Sequence, residues 1–265
     1  GEILDEVRAL VADGVLEVTL LGQNVNSYGS DLPDGYRFSS LLRNVAVQTG
    51  VRLLRFVTSH PRDFTPDIVD VMAAHGDVIC PSVNLPIQSG SDRVLKMMNR
   101  GYNLDQYRAA VSSIRERLPG AGLTTDLIVG HPGETDDDFR RSLDALEEFR
   151  FDLVHSAAYS PREGTSAASR EDQVPGEVKM RRLNEVNALQ ARIAREINSS
   201  LVGSVYDILI DDLAPRGSGL LQGRTPSDKV VLVEGGEELL GRFARVEITG
   251  GESWRLDGRL LPASR

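Results

Sequence analysis

Five short strings gather the side chains that could do chemistry: LLGQNVN at 20–26, TSHP at 58–61, NLPIQSGS at 84–91, DLIVGHPGET at 126–135 and YSPREGT at 159–165. Glycine and proline punctuate any turn, so one such string read alone implies little more than a loop. Five in succession imply more, because turn propensity does not demand Gln23, Asn24, Ser59, Gln88 and Ser89 in successive loops. Such groups can hold a polar molecule by offering donors and acceptors to a ribose, an amino group and a carboxylate. Glu134 and Arg162 add opposite charges for an ammonium and a carboxylate. No lysine sits in any of the five strings, which disfavours a Schiff-base lyase or aldolase.

For these loops to meet one ligand, the elements before them must end on one edge. Apolar residues at helical spacing predict helices over 3–13, 39–49, 66–75, 104–118 and 136–149. Between them, apolar runs predict strands over 15–21, 52–57, 82–87, 123–129 and 152–159, and a string follows or closes each strand. Thr65, Ser91 and Thr135 suit helix caps, and Pro66 suits a first helical position. The alternation predicts an α/β fold: a parallel sheet with right-handed crossovers, open or curled into a barrel, with functional groups at the carboxyl ends of its strands. A long polar helix over 175–199 follows as a connector. Beyond it the texture changes to short strands and glycine turns at 204–210, 219–225, 229–233, 242–249 and 254–260, predicting a small all-β barrel. The division is therefore 1–199 and 200–265.

Composition narrows the function classes. Hydrophobic residues make up 40% and charged residues 26%, and no apolar run approaches the roughly 20 residues of a membrane helix. The acidic, amphipathic start is unlike a secretory signal, so a cytoplasmic location is expected. A start at Gly1, without Met and directly inside a helix, reads as a piece of something longer. Net charge is -9, with 22 basic against 29 acidic residues in 1–199 and 8 against 10 in 200–265, so neither part binds nucleic acid by bulk charge. Cys80 is the one cysteine and excludes both an internal disulfide and a multi-thiolate metal site. The histidines, His60, His75, His131 and His155, lie in separate segments, so no metal site is expected. Cys80 is expected to be a buried small hydrophobe, 136–138 a solvated helix start, and Trp254 a core residue rather than a base-stacking platform.

Together, the order and spacing of the five strings resemble the radical-SAM domain of methylthiotransferases. LLGQNVN, TSHP and YSPREGT resemble the MiaB-type tRNA methylthiotransferases in particular, and the likeness spans nearly the whole chain. A sister group that modifies a ribosomal protein ranks second, and a non-catalytic RNA-binding protein is a further alternative. Asn84, where a histidine is usual, and His131, in place of an aromatic, depart from the family pattern. The resemblance implies a partial TIM-like barrel missing its first strand. It also implies an S-adenosylmethionine site lined by Gln23, Ser89 and 126–134, with Asp126 at its start. The family's 4Fe-4S clusters need a CxxxCxxC loop and a three-cysteine domain that these residues lack, so this chain alone is expected to be inactive. The parent reaction would add a methylthio group to isopentenyl-adenosine next to the tRNA anticodon. LLQGRT at 220–225, with VVLVEGG and RVEITGG, resembles a TRAM domain, an RNA-binding barrel. Its Arg216, Arg224, Lys229, Arg242 and Arg245 would meet phosphates of the anticodon stem-loop, in a protein expected to be a monomer and to have no membrane partner.

Overall fold

The computed structural model describes residues 1–57, 59–214 and 219–262. Its first part runs α1 (Glu2–Ala12), β1 (Glu17–Leu20), α2 (Phe38–Gln48), β2 (Leu53–Phe56), α3 (Pro66–Ala74), β3 (Ser82–Asn84), α4 (Asp92–Met97), α5 (Leu104–Arg117), β4 (Gly122–Val129), α6 (Asp136–Phe149) and β5 (Leu153–Ala158). The elements form where hydrophobic spacing puts them. Phe38, Leu41, Leu42 and Val45 share one face of α2 and are all buried, as are Ile68, Val69 and Met72 of α3. Each fully buried aliphatic side chain contributes about 1.5–3 kcal/mol. Thr135 caps α6 in a reciprocal pair with Asp138, and Arg150 ends that helix in the left-handed region.

All strand pairs in this part are parallel: β1 with β2, β3 with β4, and β4 with β5. The segment before β3 joins the two groups. Leu54 N–H donates to the Val78 carbonyl at 2.8 Å, and Cys80 N–H donates to the Leu54 carbonyl at 2.9 Å. Five strands therefore succeed one another in chain order, with the predicted bounds met within two residues except at β3, which ends three residues early. There Pro86 has no N–H to donate, and the chain regains contact with β4 through a single bridge at Gln88. The six-residue α4 was too short for periodicity to reveal.

After α7 (Gly176–Ser199) come β6 (Val205–Leu213), β7 (Leu221–Arg224), β8 (Val230–Val233), β9 (Phe243–Gly251) and β10 (Leu256–Leu260), which close into a barrel in the order β10-β8-β7-β6-β9. Alternate residues Ile208, Ile210, Val231, Val233, Val246 and Ile248 fill it. Trp254 does not: the expectation of a core residue is corrected, because Trp254 lies in the turn before β10 and is 61% exposed.

The barrel is docked on the sheet at the amino ends of its strands. Arg55 of β2 donates to the carbonyls of Thr225 and Pro226, each at 3.1 Å, and pairs with Glu17 at 3.2 Å. Lys229 pairs with Asp152, just before β5. Gly122, first in β4, lies so close to Ser227 that a Cβ would sit 2.2 Å from the Ser227 carbonyl oxygen. No helix among the described residues is long and apolar enough to cross a membrane.

Candidate functional site

At the carboxyl ends of the strands the five strings converge, and their side chains divide into two kinds. One kind wires the loops together. Asn26 Nδ2 donates to the His60 carbonyl at 3.0 Å and Asn26 Oδ1 accepts from His60 N–H at 2.9 Å, tying the loop after β1 to the loop after β2. Ser91 Oγ donates to Asp138 at 2.6 Å, Gly90 N–H donates to Ser142 at 2.9 Å, and Ser89 Oγ accepts from Ser91 N–H at 3.2 Å. Gly90 is required there, since a Cβ would lie 2.3 Å from the Arg141 carbonyl oxygen. Burial would push the Asp138 carboxyl up, yet hydrogen bonds from Arg93, Ser91 and Thr135 outweigh it and hold the group well below the usual range. Asp138 is therefore not the solvated helix start expected of 136–138.

Glu134 also braces the loop. Its buried carboxylate accepts from Gly130 N–H at 2.8 Å and from the buried Arg182 of α7 at 2.7 Å, while burial itself pushes the carboxyl up. The role of meeting a ligand's ammonium thus gives way to a structural one.

The second kind carries a buried polar atom that lacks a partner, although Asn24 Nδ2 itself donates to Asp63 at 2.7 Å. Among the described residues, Asn24 Oδ1, Ser59 Oγ, Arg100 Nε and Tyr159 Oη are buried without a hydrogen-bond partner. Buried polar atoms are seldom left so, because each forfeits about 1–3 kcal/mol of solvation. Arg100 and Tyr159, with Arg162, His131, Met97, Met98 and Ile128, line a cavity of about 560 Å³ between the end of α4 and the loop after β5. Gln88 stands nearby at the bridge to β4 with φ of 64°. Half-buried Asp126 is pushed up by burial, against a hydrogen bond from Asn84. His60 and His131 are both lowered by burial, and His131 stacks edge-on to Tyr159 at 5.3 Å. Gln23 is exposed at the rim.

Of the expected residues, Arg162 lines the cavity, Asn24 and Ser59 stand in the loops after β1 and β2, Gln88 follows β3 and Asp126 lies within β4, while Ser89 and Glu134 are engaged by the protein. Arg100 and Tyr159 were missed. Tyr159 opens the fifth string, but Arg100 lies in a loop without a turn motif of its own, and its type alone gave no signal.

The profile of the Radical SAM superfamily matches residues 1–146, more than half of the chain. The chain belongs to the radical SAM superfamily. The TRAM domain profile matches residues 199–261. Among curated proteins, tRNA-2-methylthio-N(6)-dimethylallyladenosine synthase of Moorella thermoacetica is 44% identical over 98% of this chain and 58% of its own length. The protein of that name from Carboxydothermus hydrogenoformans is 44% identical over 98% of this chain and 59% of its own length. This radical SAM chain thus spans less than two thirds of the curated relatives it matches. The fold resembles coproporphyrinogen III oxidase from Escherichia coli, described as a radical SAM enzyme, with a TM-score of 0.52 at 18% identity over 72% of this chain and 45% of that one.

The RNA-facing expectations fare unevenly on the TRAM barrel. Lys229 is corrected: it is nearly buried against Asp152 in the domain interface and faces no solvent track. Arg224 pairs with Asp228 at 3.2 Å beside the same interface. Arg242 and Arg245 are exposed, and Arg216 lies outside the described residues.

Proposed function

We propose that this chain is the cofactor-cradling and RNA-binding part of a tRNA methylthiotransferase that modifies isopentenyl-adenosine beside the anticodon. The observation that carries the cofactor reading is the set of four unpartnered buried polar atoms, on Arg100 and Tyr159 of the cavity lining and on Asn24 and Ser59 of the loops after β1 and β2. A molecule with a ribose, an amino group and a carboxylate offers such atoms their missing partners, so the residues present fit S-adenosylmethionine. When bound, that cofactor supplies radical chemistry at a C–H bond. The protein's share is binding, orientation and exclusion of water. Asn24, Ser59 and Gln88 offer hydrogen bonds to the polar edge of the cofactor, Arg100 or Arg162 a charge for its carboxylate, and Ile128 with Met97 an apolar wall.

The residues present do not fit an iron–sulfur cluster. Cys80 is the sole cysteine and is buried at the foot of the sheet, and the described residues hold no group of three His, Cys, Asp or Glu side chains able to bind a metal. The five parallel strands are read as a partial TIM-like barrel whose first strand lies outside these residues, and this chain by itself is read as inactive. Its RNA partner would be the anticodon stem-loop, its location the cytoplasm and its state a monomer.

Equilibrium dialysis with labelled S-adenosylmethionine tests the cradle. Measurable binding by the chain, reduced at least about fivefold by Ser59→Val or Arg100→Met in variants that melt normally, supports the reading. Equal affinity in wild type and both variants overturns it.

A further inference from the structure

At the β7–β8 turn Lys229 pairs with Asp152 across the interface and Arg224 with Asp228 of the same turn, so neither cation is free to meet RNA there. On the turn before β10, Asn198 Nδ2 of α7 donates to the Glu252 carbonyl at 2.6 Å. Ser253 Oγ donates to the Ala191 carbonyl at 2.9 Å, and Glu252 N–H donates to the Arg255 carbonyl at 2.9 Å. The turn is thus fastened on both flanks, yet it carries Trp254, the chain's one tryptophan, 61% exposed. A large aromatic ring held in water on a rigid turn is a preorganised stacking surface. Beside the turn, Ala191, Arg192, Arg195, Glu196, Ser199 and Ser253 are among the residues lining an open groove of about 530 Å³ along α7.

We propose that Trp254 is a stacking platform for an unpaired base of the RNA substrate, with Arg195 and Arg255 as its flanking cations. The proposal rests on the reading of tRNA as partner and adds the place of contact. An unpaired base suits the site better than a duplex, because the chemistry is one flat ring with few free charges. Arg195 pairs with Glu252 at 3.5 Å, Arg255 with Asp257 at 3.4 Å, and Arg192 with both Glu196 and Glu147. Each cation is thus matched by at least one carboxylate, so stacking dominates and few counterions are released.

The single tryptophan makes the test direct. The whole chain is titrated with a fluorescein-labelled RNA stem-loop bearing seven unpaired nucleotides, and with a fully paired duplex of the same stem. Trp254 emission should be quenched by the loop RNA and not by the duplex. By anisotropy, Trp254→Ala should lose about tenfold in affinity, with Trp254→Phe retaining most of it. The salt slope should stay shallower than about -2, as expected where about two or fewer phosphates are neutralised. Because the ring is exposed, Trp254→Ala should melt as wild type does. Loop RNA binding unchanged in Trp254→Ala overturns this site and leaves the tRNA reading standing; no binding of any RNA overturns both. Quenching that follows protein concentration without RNA, with a dimer by sedimentation that Trp254→Ala abolishes, assigns the ring to a second copy and refutes the proposal.

Discussion

Replacing Arg55 by alanine should undo the docking of the barrel. The guanidinium is 7% exposed, donates to the Thr225 and Pro226 carbonyls and pairs with Glu17 and Asp228. A hydrogen bond to a charged group is worth about 1.5–3 kcal/mol, so losing two costs about 3 kcal/mol. The Pro226 carbonyl left without a donor and Glu17 left without its cation bring the range to about 3–5 kcal/mol, the usual result of removing one partner of a buried pair, while the Thr225 carbonyl keeps the Asp228 N–H at 2.9 Å. For a chain of this size, about 3 kcal/mol lowers the melting temperature by roughly 6–12 °C. Urea unfolding should be followed by far-ultraviolet circular dichroism, dominated by the helices packed on the sheet, and by Trp254 emission, which reports on the barrel. The two curves should coincide in wild type and separate in Arg55→Ala, and the variant should become open to protease at 199–203. A loss under about 0.5 kcal/mol with coincident curves would refute the reasoning, since it would mean that the two units are held by their covalent link alone.

Three further outcomes follow from buried groups. Asp138 has a folded-state carboxyl well below its unfolded value, so its stabilisation is complete above about pH 4 and drains away as pH falls; Asp138→Asn should destabilise the chain at pH 7 and flatten the acid limb of its stability curve, measured by urea melts from pH 2.5 to 7. Burial pushes the Cys80 thiol up to about 11, so the native chain should resist iodoacetamide at pH 8 and react stoichiometrically in 6 M guanidinium, read by mass. Lys229→Met should leave RNA affinity within about twofold, because the ammonium faces Asp152 and not solvent, while breaking this nearly buried pair should cost about 1–3 kcal/mol in thermal melts.

The alternation of helix and strand was legible because each apolar face repeats at its own period over several turns, as in α2 and β4. The five loops were legible as a group for the same reason: each ends a strand, and parallel strands place those ends on one edge. Which side chain in a loop is free was not legible. Ser89 and Ser59 read alike in the sequence, but Ser89 accepts a bond from Ser91 N–H at a helix start, while Ser59 has no partner. Glu134 read as a ligand group until Arg182, 48 residues on, closed over it. Arg224 and Lys229 likewise looked like a phosphate track because sequence gives a turn's cations no direction. Arg224 meets Asp228 within its own turn, and Lys229 meets Asp152 where the barrel is seated on the sheet.

The path of α7 connects the two candidate sites. Near its start, Lys179 donates to the Tyr159 carbonyl at 3.1 Å and Arg182 reaches Glu134, so this end of the helix is fastened at the mouth. Near its finish, Asn198 holds the turn bearing Trp254. Nineteen residues separate Lys179 from Asn198, about 28 Å of helix at 1.5 Å per residue. β4, seven steps from the barrel-facing Gly122 to Val129 at the mouth, spans about 23 Å at roughly 3.3 Å per step. Fastened at the mouth by its start and at the barrel turn by its finish, α7 runs back down the sheet as a strut, with the mouth and the barrel at its opposite ends. A single nucleotide cannot bridge that separation. On the proposed reading a folded RNA would bridge it, with one unpaired base on Trp254 and another at the mouth, and a strut fastened at both ends would keep the spacing between those two contacts constant.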